Sequence, residues 1–372
     1  MVVRRAGHGF SKQVGQLLVI GFDGTAVTPH LRQLLEQVQP AGVILFARNI
    51  VNAQQTHQLL QDCRAAVKVP LFRGVDMEGG QVDRLRGVFG PTPSAAEVFG
   101  SGDENLYIQH GKLVGYACHA IGCNVNLAPV VDLALPASQK VMRTRAVSAD
   151  PEQVVLYARR FLQGLGQRGV WGALKHFPGL GEANLDTHEE LPRVDKSYER
   201  LWAEDIVPYR RLRRQAPFVL VGHASYPAVT QDAVPASLSS QWITDILRKE
   251  IGYRGLVISD DLEMGAVLKT MSIEDAAVGH IQAGGDLCLI CHQRENVLRA
   301  YDALRQKVSR DAGFAGRVEE SAKRVLAFKK RCQAVERKPQ VPSAVKVRRF
   351  SRQMWEFSER VRLENIQRQA EA

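Results

Sequence analysis

Short, continuously apolar runs rich in β-branched residues alternate with longer amphipathic stretches along almost the whole chain. The apolar runs are Leu17 to Phe22, Gly42 to Phe46, Leu71 to Asp76, Asn124 to Val131, Val170 to Leu174, Phe218 to Gly222, Leu256 to Ser259 and Asp286 to Ile290. Between them, Ala53 to Val67, Pro151 to Arg168, Tyr198 to Arg214 and Ser240 to Glu250 repeat apolar positions at the helical period. Strands that do not alternate apolar with polar residues belong in a parallel sheet covered on both faces. Eight such units in succession predict an α/β fold, a (β/α)8 TIM-type barrel. A doubly wound sheet is the competing arrangement. It would usually carry a glycine-rich phosphate fingerprint after its first strand, and Gly21-Phe22-Asp23-Gly24 is not one.

The periodic pattern ends near Cys332, and the stretch from Lys338 through Pro339 and Pro342 to Ser343 reads as a linker. The expected division is therefore a barrel over residues 1–335, followed by a linker and a charged, helical C-terminal tail over 336–372. Phe350, Met354, Trp355 and Phe357 are the tail residues expected to dock back on the barrel.

The chain has 372 residues, of which 45% are hydrophobic and 24% charged, enough to bury a substantial core. Its formal net charge of +10 changes the picture less than it suggests. Most of the excess falls after about Ala327, in Lys329-Lys330-Arg331, Arg337-Lys338 and the run from Val345 to Phe350. A basic tail of that kind is usually a solvated appendage. No aromatic-rich basic motif of a nucleic-acid module accompanies it, so nucleic acid is not an expected partner. The six cysteines are sparse and unpatterned, which fits a reducing compartment better than a disulfide framework. Cys288-Leu289-Ile290-Cys291-His292 matches a c-type haem attachment pattern, but it lies in a strand, where residues three apart face opposite sides. Haem is not expected. The apolar run Leu17 to Phe22 is too short for a signal peptide and no small-residue cleavage site follows it. No stretch is long enough to span a bilayer. The expectation is a cytoplasmic protein without a membrane span.

In a barrel of this kind, chemistry takes place at the C-terminal ends of the strands. Those positions hold Asp76 after the third strand, Asp132 after the fourth, Lys175 and His176 after the fifth, His223 after the sixth, and Asp260-Asp261 after the seventh. A strand-end carboxylate often only caps the next helix, and a lone strand-end histidine is more often structural than catalytic. Convergence argues for more than that, since five of eight strands deliver an ionisable group to one face.

The loop after the fifth strand contains Gly179 and Gly181, which permit tight or left-handed turns. It then presents Asp186 and His188, two residues apart and so on the same side of an extended segment. An aspartate beside an imidazole holds its tautomer and raises its basicity. No serine nucleophile with flanking elbow glycines accompanies the pair. Zinc could be held by His176, His188, His223 and the aspartates, yet no paired histidine motif appears. A proton donor on a loop facing an isolated carboxylate in the barrel mouth suits glycosidic bond cleavage.

Five segments, taken together and in order, resemble glycoside hydrolase family 3, and within it the single-domain bacterial β-N-acetylglucosaminidases of peptidoglycan recycling. They are Val75 to Leu85 (VDMEGGQVDRL), Asn126 to Asp132 (NLAPVVD), Lys175 to Gly179 (KHFPG), Asp186-Thr187-His188 and Ile258 to Leu262 (ISDDL). The resemblance implies that Asp260 is the nucleophile, His188 the general acid/base and Asp186 its dyad partner. It implies that Asp76, Arg84, Arg145, Lys175 and His176 hold the hydroxyls of a terminal N-acetylglucosamine. It also implies a carbohydrate substrate, a muropeptide or chitooligosaccharide containing GlcNAc, and a monomer working without metal or organic cofactor. The chain departs from the family pattern at Leu180, where a histidine is usual, near Arg143, where a glycine is usual, at Met77, and at Ala146 to Ser148.

Overall fold

The computed structural model describes residues 13–183, 191–331 and 341–371. Eight parallel strands close into a barrel: β1 Leu18–Ile20, β2 Gly42–Leu45, β3 Phe72–Val75, β4 Val125–Asn126, β5 Trp171–Phe177, β6 Phe218–Val221, β7 Leu256–Asp261 and β8 Leu287–Ile290. Neighbours in sequence are neighbours in space, and β8 returns to β1 with Leu18 opposite Cys288 and Ile20 opposite Ile290. The expected TIM-type barrel is the fold.

The unbroken apolar character of the strands follows from their two buried faces. Val19, Ile44, Phe72, Leu220, Ile258 and Leu289 point into the barrel. Leu18, Ile20, Val43, Val219, Val257 and Ile290 belong to the outer core, packed with the helices. Cys288 falls in the outer core and Cys291 in the inner one, so the two thiols of the haem-like pattern face opposite sides as expected.

Two strands differ in length from their expected runs. β4 ends at Asn126 because Pro129 has no N–H to give the ladder, although Val131 N still reaches Lys175 O at 2.8 Å. β5 continues beyond Leu174 through Lys175 and His176 to Phe177, placing the ionisable pair on the strand itself.

Helices cover the outside. Ala53–Ala65 starts where the Asn52 side chain accepts Gln55 N, and Pro151–Gly166 starts at the Asp150 cap with Pro151 in its first turn. The single helix expected over Tyr198 to Arg214 is two, Tyr198–Ala203 and Val207–Leu212. Pro208 cannot donate to Glu204 O and its ring crowds that carbonyl, so the first helix stops.

The bottom of the barrel is closed by the helix Ala312–Arg331, whose Phe328 sits edge-on to Phe218 (5.3 Å) and Trp171 (5.8 Å). At the top, β3 leads into a small hairpin of Met77–Gly79 and Val82–Asp83. The tail is a helix over Ala344–Glu371 that buries Phe350, Met354, Phe357 and Val361 against the segment after this hairpin. Each of those side chains contributes roughly 1.5–3 kcal/mol by burial, which makes the docked helix a fixed part of the molecule. Trp355, expected to dock with them, is 63% exposed because it falls on the opposite side of the helix. Among the described residues, no helix is long and apolar enough to cross a membrane.

Candidate active site

A cavity of about 290 Å³ opens at the C-terminal mouth of the barrel, the size of a small-ligand site. Asp76, Arg84, Arg145, Lys175, His176 and Asp260 all line it, so six of the expected site residues converge from β3, β5, β7 and two loops. Asp186 and His188 lie outside the described residues.

One wall is a buried charge network. Lys175 Nζ lies 2.9 Å from Asp76 Oδ1 and 2.5 Å from Glu78 Oε1. Arg145 makes a two-pronged pair with Glu78, at 2.8 and 2.9 Å. Burial by itself would push the Glu78 carboxyl up, but the Arg145 guanidinium and the Lys175 ammonium overcome it and hold it far below its ordinary value. Burial likewise opposes the charge on Lys175 and Arg145, and their carboxylate partners raise both above their ordinary values. The wall therefore presents fixed charges with defined hydrogen-bonding directions to anything bound in the mouth.

The second wall rests on Asp132, a buried carboxylate beneath β5. It accepts His176 Nδ1 at 2.6 Å, the backbone N–H of His176 and that of Leu180 at 2.8 Å. A carboxylate on Nδ1 makes that nitrogen the donor and leaves Nε2 for the cavity. Leu180, at the position where a histidine is usual, is buried and packs its side chain into the same wall.

Asp260 stands at the end of β7, with Oδ1 accepting the Asp261 N–H at 2.9 Å. Desolvation works to raise its carboxyl, but the His176 and His223 imidazoles, that N–H and Lys175 outweigh it, so Asp260 lies below its ordinary value. It is ionised at neutral pH. Asp261 plays a different part: its Oδ1 accepts the N–H of Glu263 (3.1 Å) and of Cys291 (3.2 Å), and Oδ2 lies 3.3 Å from His292 Nε2. It holds the loop after β8. His223 is also structural, with Nδ1 2.7 Å from Ser237 Oγ, Nε2 3.0 Å from Asp261 O, and a pKa lowered by burial. It fixes the backbone behind Asp260 without entering the cavity.

Arg84 lines the opposite side, 5.8 Å from the centre of the Phe46 ring, and its buried Nε has no hydrogen-bond partner among the described residues. Phe46 and His292 add a tilted aromatic pair at 5.6 Å on the same rim.

Glu78, Phe46 and His292 line the cavity but were missed by strand-end reading, while Asp132 was picked out by it without its role beneath His176. Glu78 had a signal, since it stands two residues after Asp76 and so on the same face of an extended segment. The stems of the loop after β5 explain its glycines. A Cβ on Gly179, whose φ is +142°, would lie 2.6 Å from Asp205 Cβ, and one on Gly181 would lie 3.0 Å from Asp205 Oδ1. Tyr226 Oη donates to Gly179 O at 2.6 Å, and Lys196 beyond the loop pairs with Asp205 at 2.6 Å.

An ionised carboxylate on the floor, a fixed lattice of donors and acceptors on the walls and an aromatic rim suit a polyhydroxylated ligand with an electrophilic carbon over Asp260. Comparisons with known proteins point to a glycoside hydrolase. The profile of the Glycosyl hydrolase family 3 N terminal domain matches residues 10–328. A beta-hexosaminidase of Idiomarina loihiensis is 33% identical over 290 residues, covering 77% of this chain and 87% of its own. One of Pseudomonas aeruginosa is 34% identical over 290 residues, covering 78% and 86%. Among solved structures, a glycoside hydrolase family 3 beta-N-acetylglucosaminidase from Paenibacillus sp. str. FPU-7 superposes with a TM-score of 0.87 at 31% identity, over 94% of this chain and 68% of that one. A beta-N-acetylhexosaminidase from Beutenbergia cavernae does so with a TM-score of 0.79 at 27% identity, over 86% and 98%.

Proposed function

Since the chain belongs to glycosyl hydrolase family 3, we propose that it is a retaining exo-β-N-acetylglucosaminidase that removes terminal non-reducing GlcNAc from peptidoglycan-derived fragments. The observation that carries this reading is the ionised Asp260 on the floor of a cavity walled by the Asp76–Lys175–Glu78–Arg145 network.

In this scheme the sugar sits with its hydroxyls on Asp76, Lys175, Arg145, Arg84 and His176, and its anomeric carbon over Asp260. The Asp260 carboxylate forms a bond to that carbon as the glycosidic bond breaks, and His188, supported by Asp186, gives its proton to the leaving oxygen. The same histidine then takes a proton from water, which displaces Asp260 and returns the sugar with its original configuration. Metal and organic cofactor have no step in this sequence. The relatives named beta-hexosaminidase support the GlcNAc specificity, and the resemblance read from the sequence supports the peptidoglycan source. A cytoplasmic monomer is the form in which we expect it to work.

The test is turnover of aryl β-N-acetylglucosaminides and aryl β-glucosides, with and without phosphate, by wild type, Asp260→Asn and His188→Ala. Wild type should prefer the N-acetylglucosaminide without needing phosphate, and Asp260→Asn should lose turnover while still binding GlcNAc. His188→Ala should lose far more rate on alkyl than on activated aryl leaving groups. Equal losses on both would reject the acid role. Undiminished turnover by Asp260→Asn would reject the nucleophile, and phosphate dependence would make the protein a phosphorylase.

A further inference from the structure

The C-terminal helix Ala344–Glu371 lines no part of the cavity, yet its seat is built from the segment that immediately follows the cavity-lining residues Glu78, Gln81 and Arg84. Three of its apolar side chains reach this segment or a residue that packs on it. Phe350 stacks on Tyr116 (4.2 Å) and meets Phe89 edge-on (5.1 Å), in the short helix Arg86–Phe89 that begins two residues after Arg84. Met354 Sδ accepts Thr92 Oγ1 at 3.5 Å, while Thr92 N donates to Asp83 Oδ2 at 2.9 Å and Thr92 O accepts Gly80 N at 2.8 Å. Phe357 stacks on His110 (5.9 Å), whose Nδ1 lies 2.8 Å from Tyr157 Oη and whose Nε2 would lie 3.3 Å from a Cβ on Gly79.

Polar contacts tie the helix to its seat as well, with Arg368 Nη1 donating to Gly100 O at 3.2 Å. Asn365 Nδ2 donates to Glu97 O (2.8 Å) and Arg360 pairs with Asp103 (3.0 Å). A solvated appendage needs no such contacts.

We propose that the C-terminal helix is a positioning element of the active site, which clamps the loop after β3 and so sets how tightly Arg84, and through Glu78 the paired Lys175 and Arg145, hold the sugar. Phe350 and Phe357 are its positioning residues. The proposal rests on the glycosidase reading for its kinetic consequence, but its structural content is independent of the substrate. A rigid wall lowers the entropy lost on binding, and a misplacement of about 1 Å at a site remote from the chemistry is costly.

The experiment compares full-length wild type, Phe350→Ala/Phe357→Ala, the milder Phe357→Ala, and Phe328→Ala as a destabilised control at the far end of the barrel. Each is assayed for kcat and KM on an aryl β-N-acetylglucosaminide below its unfolding temperature, and for amide hydrogen exchange. The double variant should raise KM about tenfold with little change in kcat, the single variant less, and the control not at all. Exchange should speed up selectively over residues 77–94 in the tail variants. An unchanged KM, or an equal rise in the Phe328→Ala control, would overturn the proposal, as would unaltered exchange over 77–94. If wild type fails to turn over the glycoside, the functional reading falls, and the exchange arm still decides the role of the helix.

Discussion

A carboxylate buried between a guanidinium and an ammonium is held by charge, and removing it strands two buried cations. Glu78 is in that position, between Arg145 and Lys175. Replacing it with Gln should cost about 3–5 kcal/mol of unfolding free energy at pH 7. Because folding holds this carboxyl below its ordinary value of 4.5, its contribution is complete above that pH and is lost as pH falls through the folded value. The stability gap between wild type and Glu78→Gln in urea should therefore be constant from pH 7 to about pH 5 and shrink in stronger acid. A gap that widened on acidification would show that Glu78 is not the ionised partner. At this scale Asp76, Lys175, His176 and Asp260 were legible as groups at strand ends, whereas Arg84 and Arg145 were named only through the family resemblance. Which of two adjacent aspartates is available, and that His223 is locked by Ser237 and Asp261 O, depend on partners distant in sequence. No local pattern contains that information.

Turns between elements are where local sequence and tertiary demand disagree most. Arg143 has φ +46° and ψ −121°, outside the small left-handed basin open to residues with a Cβ. Its turn delivers Arg145 to Glu78, so the conformation is imposed by the site. Such strain costs about 1–3 kcal/mol, while a glycine adds about 0.5–1 kcal/mol of unfolded-state entropy. Strain outweighs entropy here, so Arg143→Gly should raise the unfolding free energy by about 1 kcal/mol. A fall in the urea midpoint would mean the Arg143 side chain contributes more than its backbone loses. The departure from glycine at this position was visible in the sequence, whereas its backbone geometry was not. Similarly, apolar periodicity marked Tyr198 to Arg214 as helical and was right about the buried face, but Pro208 divides it. The broken segment leaves Asp205 beside Gly179 and Lys196, a placement that periodicity alone does not encode.

Across the whole molecule, eight apolar runs separated by helical patterns specified a parallel sheet covered on both faces, and the absence of a glycine-rich phosphate fingerprint after the first run, together with the family resemblance, favoured the closed barrel over an open doubly wound sheet. How the barrel is closed underneath is a property of distant segments meeting. Lys329, in the helix that plugs the bottom, is buried with Nζ 2.8 Å from Gln16 Oε1 and 4.9 Å from the centre of the Phe72 ring. Those contacts favour the ammonium by about 2–3 kcal/mol, less than the several kcal/mol lost with its hydration shell. Burial accordingly holds the amine well below its ordinary value of 10.5. Between the folded and unfolded values the unfolded chain binds the extra proton, so this lysine weakens folding most at low pH and progressively less as pH rises. Lys329→Met keeps the volume and removes the titration. Its stability relative to wild type should fall as pH rises toward the ordinary lysine value of 10.5, by at most about 1.4 kcal/mol per unit. Urea unfolding of both proteins at pH 7, 8.5 and 10 measures that slope directly. A difference independent of pH would mean that the Gln16 and Phe72 contacts fully offset the burial of the Lys329 ammonium.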